Sequence, residues 1–171
     1  MKNGILRKIS MTGILSAFAT IAFIIEGLFP PLFIPGARMG ISNIFILLTV
    51  VILGYKYGFA VLIVKIVIGS LFSGNVSAML YSLPAGIISW TVQVLMVNLT
   101  EKFSITAISV TGAIVNVTVQ NTVFCLITRV WQYLAYLPYL ALTGLISGLI
   151  VGLSVYLIIK KLPLKILAEN K

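Results

Sequence analysis

One lysine, Lys65, stands inside a run of aliphatic residues, LIVKIVIGSLFSG at positions 62–74. An isolated charge at the centre of a bilayer costs roughly 2.5–3.5 kcal/mol on insertion scales, so such a residue is expected to face the protein interior. Two interpretations stay open. Lys65 either cross-links two helices, with backbone carbonyls and the amides of Asn116 or Gln120 as partners, or it is held ready for an anionic or carbonyl-bearing ligand.

A second set of polar residues recurs at helical spacing along positions 105–128. Steps of three and four place on one face Ser109, Gly112, Asn116 and Gln120. Amide side chains are costly against lipid, so this face is predicted to point inward. Further polar candidates are Gln93 and Asn43. Both interhelical hydrogen bonding and a polar binding site are compatible with this pattern.

Several kinds of chemistry are excluded by what the sequence lacks. It contains no histidine and no aspartate, and its three acids are Glu26, Glu101 and Glu169. This composition argues against a metal cluster, a Ser-His-Asp triad and a carboxylate dyad. No Gly-rich loop ends in Lys-Ser/Thr, so a Walker-type nucleotide site is not predicted either. The lone Cys125 lies in an apolar run and reads as a small buried hydrophobe. We predict no enzyme activity, no metal and no cofactor.

The elements that must position these residues are membrane helices. The 171-residue chain is 60% hydrophobic and only 9% charged, and its mean hydropathy is +1.17. Soluble domains are about 25% charged, so this composition belongs to the membrane class. Apolar segments predict a single polytopic domain, residues 1–171, with six spans at 9–29, 39–55, 57–73, 77–99, 105–128 and 137–159. The second span is short for a bilayer and is expected to need cover from its neighbours.

The charges predict the orientation of this all-α bundle. With the N-terminus inside, the cytoplasmic side collects Lys2, Arg7, Lys8, Lys56, Lys102, Lys160, Lys161, Lys165 and Lys171. The outer side receives only Arg38 and Arg129. This partition follows the positive-inside rule and places both termini in the cytoplasm. The net charge of +9 is therefore attributed to topology and not to nucleic-acid binding.

Small residues mark two faces suited to close helix packing. The sixth span has glycine at every fourth position, namely Gly144, Gly148 and Gly152. The first span carries a weaker pair, Gly13 and Ala17. Such faces let two backbones approach closely in lipid. Packing within the chain and docking of a partner protein are both open for each.

Three motifs carry a resemblance to a known family. IPGARMGISNIFILL (34–48), VKIVIGSLFSG (64–74) and SLPAG (82–86) resemble the bacterial Gx transporter family, which is often labelled heptaprenyl diphosphate synthase component I. That family is similar to the membrane substrate-binding (S) components of energy-coupling-factor vitamin transporters. The sequence departs from the family pattern at Arg38 and Met39, where the family usually has Lys and Leu. It also has Lys65 in place of an arginine, and its GAIVNVTVQN stretch lacks the usual His-Asn pair.

The resemblance implies a six-helix bundle with an outward-facing ligand pocket capped by the first extracellular loop. It also implies that the small residues of the first helix dock onto a transmembrane coupling protein driven by ATPases, in the bacterial cytoplasmic membrane. Arg38, between Gly36 and Gly40 on the side where positive charge is scarce, is then expected either to serve the pocket or to contact lipid headgroups.

Two functions follow from these observations. In the first, the chain binds an unidentified small molecule and partner proteins supply the energy for its transport. In the second, it is a noncatalytic membrane accessory of polyprenyl diphosphate or quinone metabolism, or of flavin- or quinone-linked extracellular electron transfer. Ionisation of a prenyl diphosphate uses Mg²⁺ held by clustered carboxylates, which three scattered glutamates cannot supply.

Overall fold

In the part of the chain that the structure describes, the protein is a bundle of six α-helices with one short 3₁₀-helix. A computed structural model describes residues 2–28, 40–74, 76–99 and 103–162, and no strand occurs in these ranges. The α-helices are α1 (Lys2–Leu28), α2 (Asn43–Leu53), α3 (Tyr55–Phe72), α4 (Val76–Leu99), α5 (Ile105–Thr128) and α6 (Leu137–Lys161), with the 3₁₀-helix at Trp131–Tyr136. The predicted all-α, six-helix bundle is confirmed. Arg38 lies outside the described residues.

Five of the helices are long and apolar enough to cross a membrane, and α2 is not. The chain is thus a multi-pass membrane protein. At 1.5 Å per residue, the 11 residues of α2 extend only about 16 Å, roughly half of a 30 Å hydrocarbon core. The predicted range 39–55 was too long for this helix. Gly40 has a positive φ of 72° and Gly54 one of 102°, and these two residues bracket the helix.

α2 and α3 form an antiparallel hairpin around a single residue, Gly54. A φ of 102° is rarely open to other residues, so glycine permits this abrupt reversal. α2 and α3 remain in close contact beyond the turn, because a Cβ on Gly58 would overlap the side chain of Val50. Residues equally far from Gly54 therefore face one another. Asn43 and Lys65, each eleven positions away, lie side by side at the far end.

The short α2 is the most enclosed helix of the bundle. One apolar cluster joins it to α5 and α6 through Leu47, Leu48, Ile52, Leu53, Ile108, Val151 and Val155. A second cluster joins it to α1 and α3 through Ala19, Ile46, Val61, Leu62 and Ile66. Neighbours on both sides explain why α2 is apolar all round. At its start, Ser42 is buried and Asn43 is half-buried.

The glycine stripe of α6 packs on α5. A Cβ on Gly148 would stand 2.6 Å from the Cα of Val110, and one on Gly152 would stand 2.7 Å from the Cα of Thr106. Gly144 similarly meets the backbone of α5 at Ile114. All three positions face a helix of the same chain, so two backbones lie closer here than larger residues would permit.

Candidate functional site

Polar residues from five helices enclose a cavity near the centre of the bundle. This central cavity has a volume of about 60 Å³. Its polar lining consists of Glu26, Ser42, Asn43, Lys65, Ser82, Ser89, Gln93, Asn116 and Gln120, and its aromatic lining of Phe23 and Trp90. Such convergence of polar groups inside a membrane bundle is costly unless those groups bind one another, water or a ligand.

Lys65 forms the charged wall of the cavity together with the start of α2. Its Nζ donates to Asn43 Oδ1 at 2.7 Å and to Ser42 Oγ at 3.3 Å, and it lies 5.5 Å from the ring centroid of Phe23. Only 5% of the lysine is exposed. These two bonds tie α3 to the beginning of α2, a link that the sequence did not predict; the proposed link from Lys65 to the amides of the fifth helix stays a prediction. The register of the hairpin sets the pairing of α3 with the start of α2.

Glu26 completes that wall from α1. Its Oε1 accepts a hydrogen bond from the backbone N–H of Ser42 at 2.7 Å, and the glutamate is buried. The carboxylate thus occupies the N-terminal end of α2, where the helix dipole favours negative charge and backbone N–H groups lack intrahelical partners. Ser42 binds Glu26 through its N–H and Lys65 through its hydroxyl, so one residue links both charges.

The opposite wall carries side-chain amides on α4 and α5. Gln93 lies directly on Gly112, where any Cβ would overlap the glutamine side chain. Beside it, the Ser89 hydroxyl donates to the Gly112 carbonyl at 2.7 Å and joins the two helices. Asn116 and Gln120 follow on the same face of α5 and also line the cavity. Absence of a side chain at Gly112 is what allows the glutamine to reach this wall.

The structure brings together five of the six residues proposed from the sequence to bind substrate. Asn43, Lys65, Gln93, Asn116 and Gln120 all line the central cavity. Arg38, the sixth, is outside the described residues. Whether these side chains bind a ligand remains a prediction.

Sequence reasoning missed several contributors to the site, among them Glu26, Ser42 and Trp90. The buried carboxylate of Glu26 reaches the start of α2 from another helix. The signal for Glu26 was the same as for Lys65, a lone charge in an apolar segment. For Ser42 and Trp90 no comparable signal exists, since serine and tryptophan are common at helix ends and membrane interfaces.

A second feature is an open apolar groove between α1 and α3, which we call the α1–α3 groove. Its volume is about 810 Å³, and it is lined by Ile9, Thr12, Gly13, Ser16, Ala17, Thr20, Ile21, Ile24, Tyr57, Ala60, Val64, Ile68 and Phe72. A Cβ on Gly13 would have no heavy atom of the described chain, other than its own helix backbone, within 4 Å. The small residues of α1 therefore face open space, unlike the glycine stripe of α6.

Comparison with known proteins gives one match. The family model described as heptaprenyl diphosphate synthase component I matches residues 15–158, well over half of the chain. Neither the curated proteins nor the solved structures include a match. Among the described residues, no group of three or more His, Cys, Asp or Glu could hold a metal ion.

Proposed function

The chain belongs to the heptaprenyl diphosphate synthase component I family, and from that premise we propose that it is the membrane-embedded substrate-binding subunit of a small-molecule transporter. The observation that carries this proposal is the central cavity. It is lined by five helices, and its polar groups come from well-separated parts of the chain. Its volume is about 60 Å³. A few convergent polar groups among apolar side chains are the usual lining of ligand sites.

Binding suits the residues better than catalysis does. Glu26 is the one acid in the described part of the chain, and it already accepts a bond from Ser42. Lys65 is likewise committed to the start of α2. Activation of a diphosphate needs Mg²⁺, which prefers several oxygen ligands. A single carboxylate beside a lysine does not form such a set.

The energy for transport is proposed to come from partner proteins that dock on the α1–α3 groove. Gly13 and Ala17 leave part of the α1 side of this groove without bulky side chains, and the surface that lines the groove is almost wholly apolar. In lipid, helices associate by close van der Waals packing on such surfaces. We propose a transmembrane coupling protein with ATPase subunits as the partner, and the cytoplasmic membrane of a bacterium as the location.

Co-purification from native membrane tests this proposal. The tagged chain is expected to recover a transmembrane protein together with ATPases. Gly13→Leu should abolish that recovery while leaving the melting temperature of the purified chain unchanged, because the groove has room for the added side chain. Gly4→Leu is the matched control: Gly4 is also on α1 with nothing packed on it, but it lies outside the groove. Equal recovery with wild type and Gly13→Leu would refute docking at the groove.

The family description favours a second candidate, a noncatalytic accessory of polyprenyl diphosphate or quinone metabolism or of extracellular electron transfer. In that case the same purification should recover a soluble prenyl synthase or a redox complex in place of ATPases. The Gly13→Leu variant then reports whether that partner uses the same groove.

A further inference from the structure

Two amide side chains on the wall of the central cavity have no hydrogen-bond partner within the part of the chain that the structure describes. They are Gln93 on α4 and Asn116 on α5. Gln93 is only 8% exposed. A buried amide without a partner is unfavourable, and more so inside a membrane, where bulk water is absent. The geometry therefore leaves hydrogen-bonding capacity that the fold itself does not use.

The chemistry of these two groups limits what can satisfy them. Each amide presents an N–H donor and a carbonyl acceptor side by side. The best complement is a group that also holds a donor and an acceptor side by side, which is the arrangement in an amide, a lactam or a ureide. At about 60 Å³ the cavity holds about two water molecules. A group of only a few heavy atoms would displace them, so the enclosed part of a ligand is a small head group.

The charges on the facing wall indicate that this head group is uncharged. Glu26 and Lys65 have opposite signs, and both are held by Ser42. Lys65 also donates to Asn43. Within the described lining of the cavity these two charges balance, so a charged ligand would add net charge to a buried site, where desolvation is expensive. A neutral group has a small free-energy cost of leaving water if its own donor and acceptor form hydrogen bonds again in the cavity.

We propose that the central cavity binds the neutral amide, lactam or ureide group of a small molecule, with Gln93 and Asn116 as the residues that pair with it. This inference rests on the proposed function, since it names the class of ligand for the same site. It narrows the two ligand types considered for Lys65 to the carbonyl-bearing one. The lysine shapes the cavity by fixing the start of α2, while the amides make the discriminating contacts.

Fluorescence of Trp90 provides the assay. The chain has two tryptophans, and Trp131 is exposed on the 3₁₀-helix. Trp131→Phe therefore leaves Trp90, a lining residue, as the sole reporter in the full-length chain reconstituted in lipid nanodiscs. The probes are 2-pyrrolidinone, γ-butyrolactone, butyrate and erythritol. The lactone has the ring of the lactam without the N–H, butyrate adds a charge, and erythritol offers hydroxyl groups only.

We expect a saturable change of Trp90 emission with 2-pyrrolidinone and at least tenfold weaker binding of the other three probes. A site built to hydrogen-bond a group discriminates strongly against an analogue that lacks it. Equal binding of the lactone would overturn the role of the N–H. Tighter binding of butyrate or erythritol would overturn the neutral-amide class.

Variants separate recognition from a structural role. Gln93→Met keeps the length of the side chain and removes the amide, so lactam binding should fall at least tenfold while the melting temperature stays the same or rises. Asn116→Leu should behave alike. The matched control is Gln132→Met, an exposed glutamine on the 3₁₀-helix away from the cavity. If both cavity variants melt lower or fail to fold, the amides hold the bundle together and the inference is wrong.

Failure of this inference can be told apart from failure of the proposed transport role. Lactam binding without recovery of ATPases would support the ligand class and count against the transporter subunit. Recovery of ATPases with no response to the lactam, or with a response to butyrate, would leave the transporter proposal standing and reject the ligand class.

Discussion

The charged wall of the central cavity predicts a strong energetic coupling between two residues on different helices, Glu26 and Lys65. Lys65→Met removes the ammonium and leaves the Glu26 carboxylate buried without the Lys65 charge near it. Glu26→Gln removes the carboxylate and leaves the Lys65 ammonium buried without the Glu26 charge near it. Each single change is expected to destabilise the bundle, whereas the double variant, which removes both charges, should be destabilised by less than the sum of the two.

The magnitude follows from the contacts. Two hydrogen bonds through Ser42, of 2.7 Å and 3.3 Å, place the carboxylate oxygen and the ammonium nitrogen no more than about 10 Å apart. At an effective dielectric of about 20, opposite charges at that distance attract by about 1.7 kcal/mol. Removal of one member of a buried pair typically costs about 3–5 kcal/mol, because the other charge remains buried. We therefore expect losses near 3 kcal/mol for each single variant and a coupling of at least about 1.7 kcal/mol.

Equilibrium unfolding in mixed detergent and SDS micelles measures these free energies. Four proteins complete the cycle: wild type, the two single variants and the double variant. Lys56→Met serves as the control for loss of a lysine, since Lys56 is exposed and lies beside Tyr55 at the hairpin turn. It should change the free energy of unfolding little.

Additive losses would refute this reasoning. Independent sites add to within about 0.3–0.5 kcal/mol, so a double variant that loses the full sum would mean that the two charges do not sense one another. The same conclusion would follow if Lys65→Met and Lys56→Met had equal effects.

Two further predictions concern topology and packing. Cysteines introduced at Asn3 and Asn170 in a Cys125→Ser background should react in intact cells only with membrane-permeant thiol reagents, and labelling of either by an impermeant reagent would contradict cytoplasmic termini. Gly148→Leu should lower the free energy of unfolding by about 1–3 kcal/mol, because its Cβ would stand 2.6 Å from a backbone carbon of α5. Gly13→Leu, with no packed neighbour, provides the comparison, and equal melting of the two variants would contradict the packing assigned to the stripe.

The helices were predictable from hydropathy because a bilayer demands long apolar segments. The bounds of α3 and of α4 to α6 agree with the predicted spans to within two residues. α1 begins at Lys2 and not at residue 9, since a charged N-terminal turn can be helical outside the hydrocarbon. α2 was overestimated for a different reason. Hydropathy counts apolar residues, but the positive φ of Gly40 and Gly54 limits the helix to the residues between them.

The lining of the cavity was partly predictable from the cost of polar groups in lipid. From that cost, the amides of α4 and α5 were predicted to face the interior, and they line the cavity. The cost does not determine which polar group contacts which. The partners of Lys65 depend on the register of the α2–α3 hairpin, which a single residue, Gly54, defines. Once that turn is known, Asn43 and Lys65 are equidistant from it, so the pairing could be inferred from the sequence only after the helix ends were fixed.

The half-depth α2 connects these observations. The first residues of a helix have backbone N–H groups without intrahelical partners. At the start of α2, Glu26 accepts a hydrogen bond from one such group, the N–H of Ser42. A buried carboxylate in turn needs a countercharge, and Lys65 lies opposite the same residues because of the hairpin register. Both charges are thus required by the way α2 begins. Among the described residues, the polar groups that this requirement leaves unused are the amides of Gln93 and Asn116, and for that reason the search for a ligand should start from their hydrogen-bonding pattern and not from the lysine.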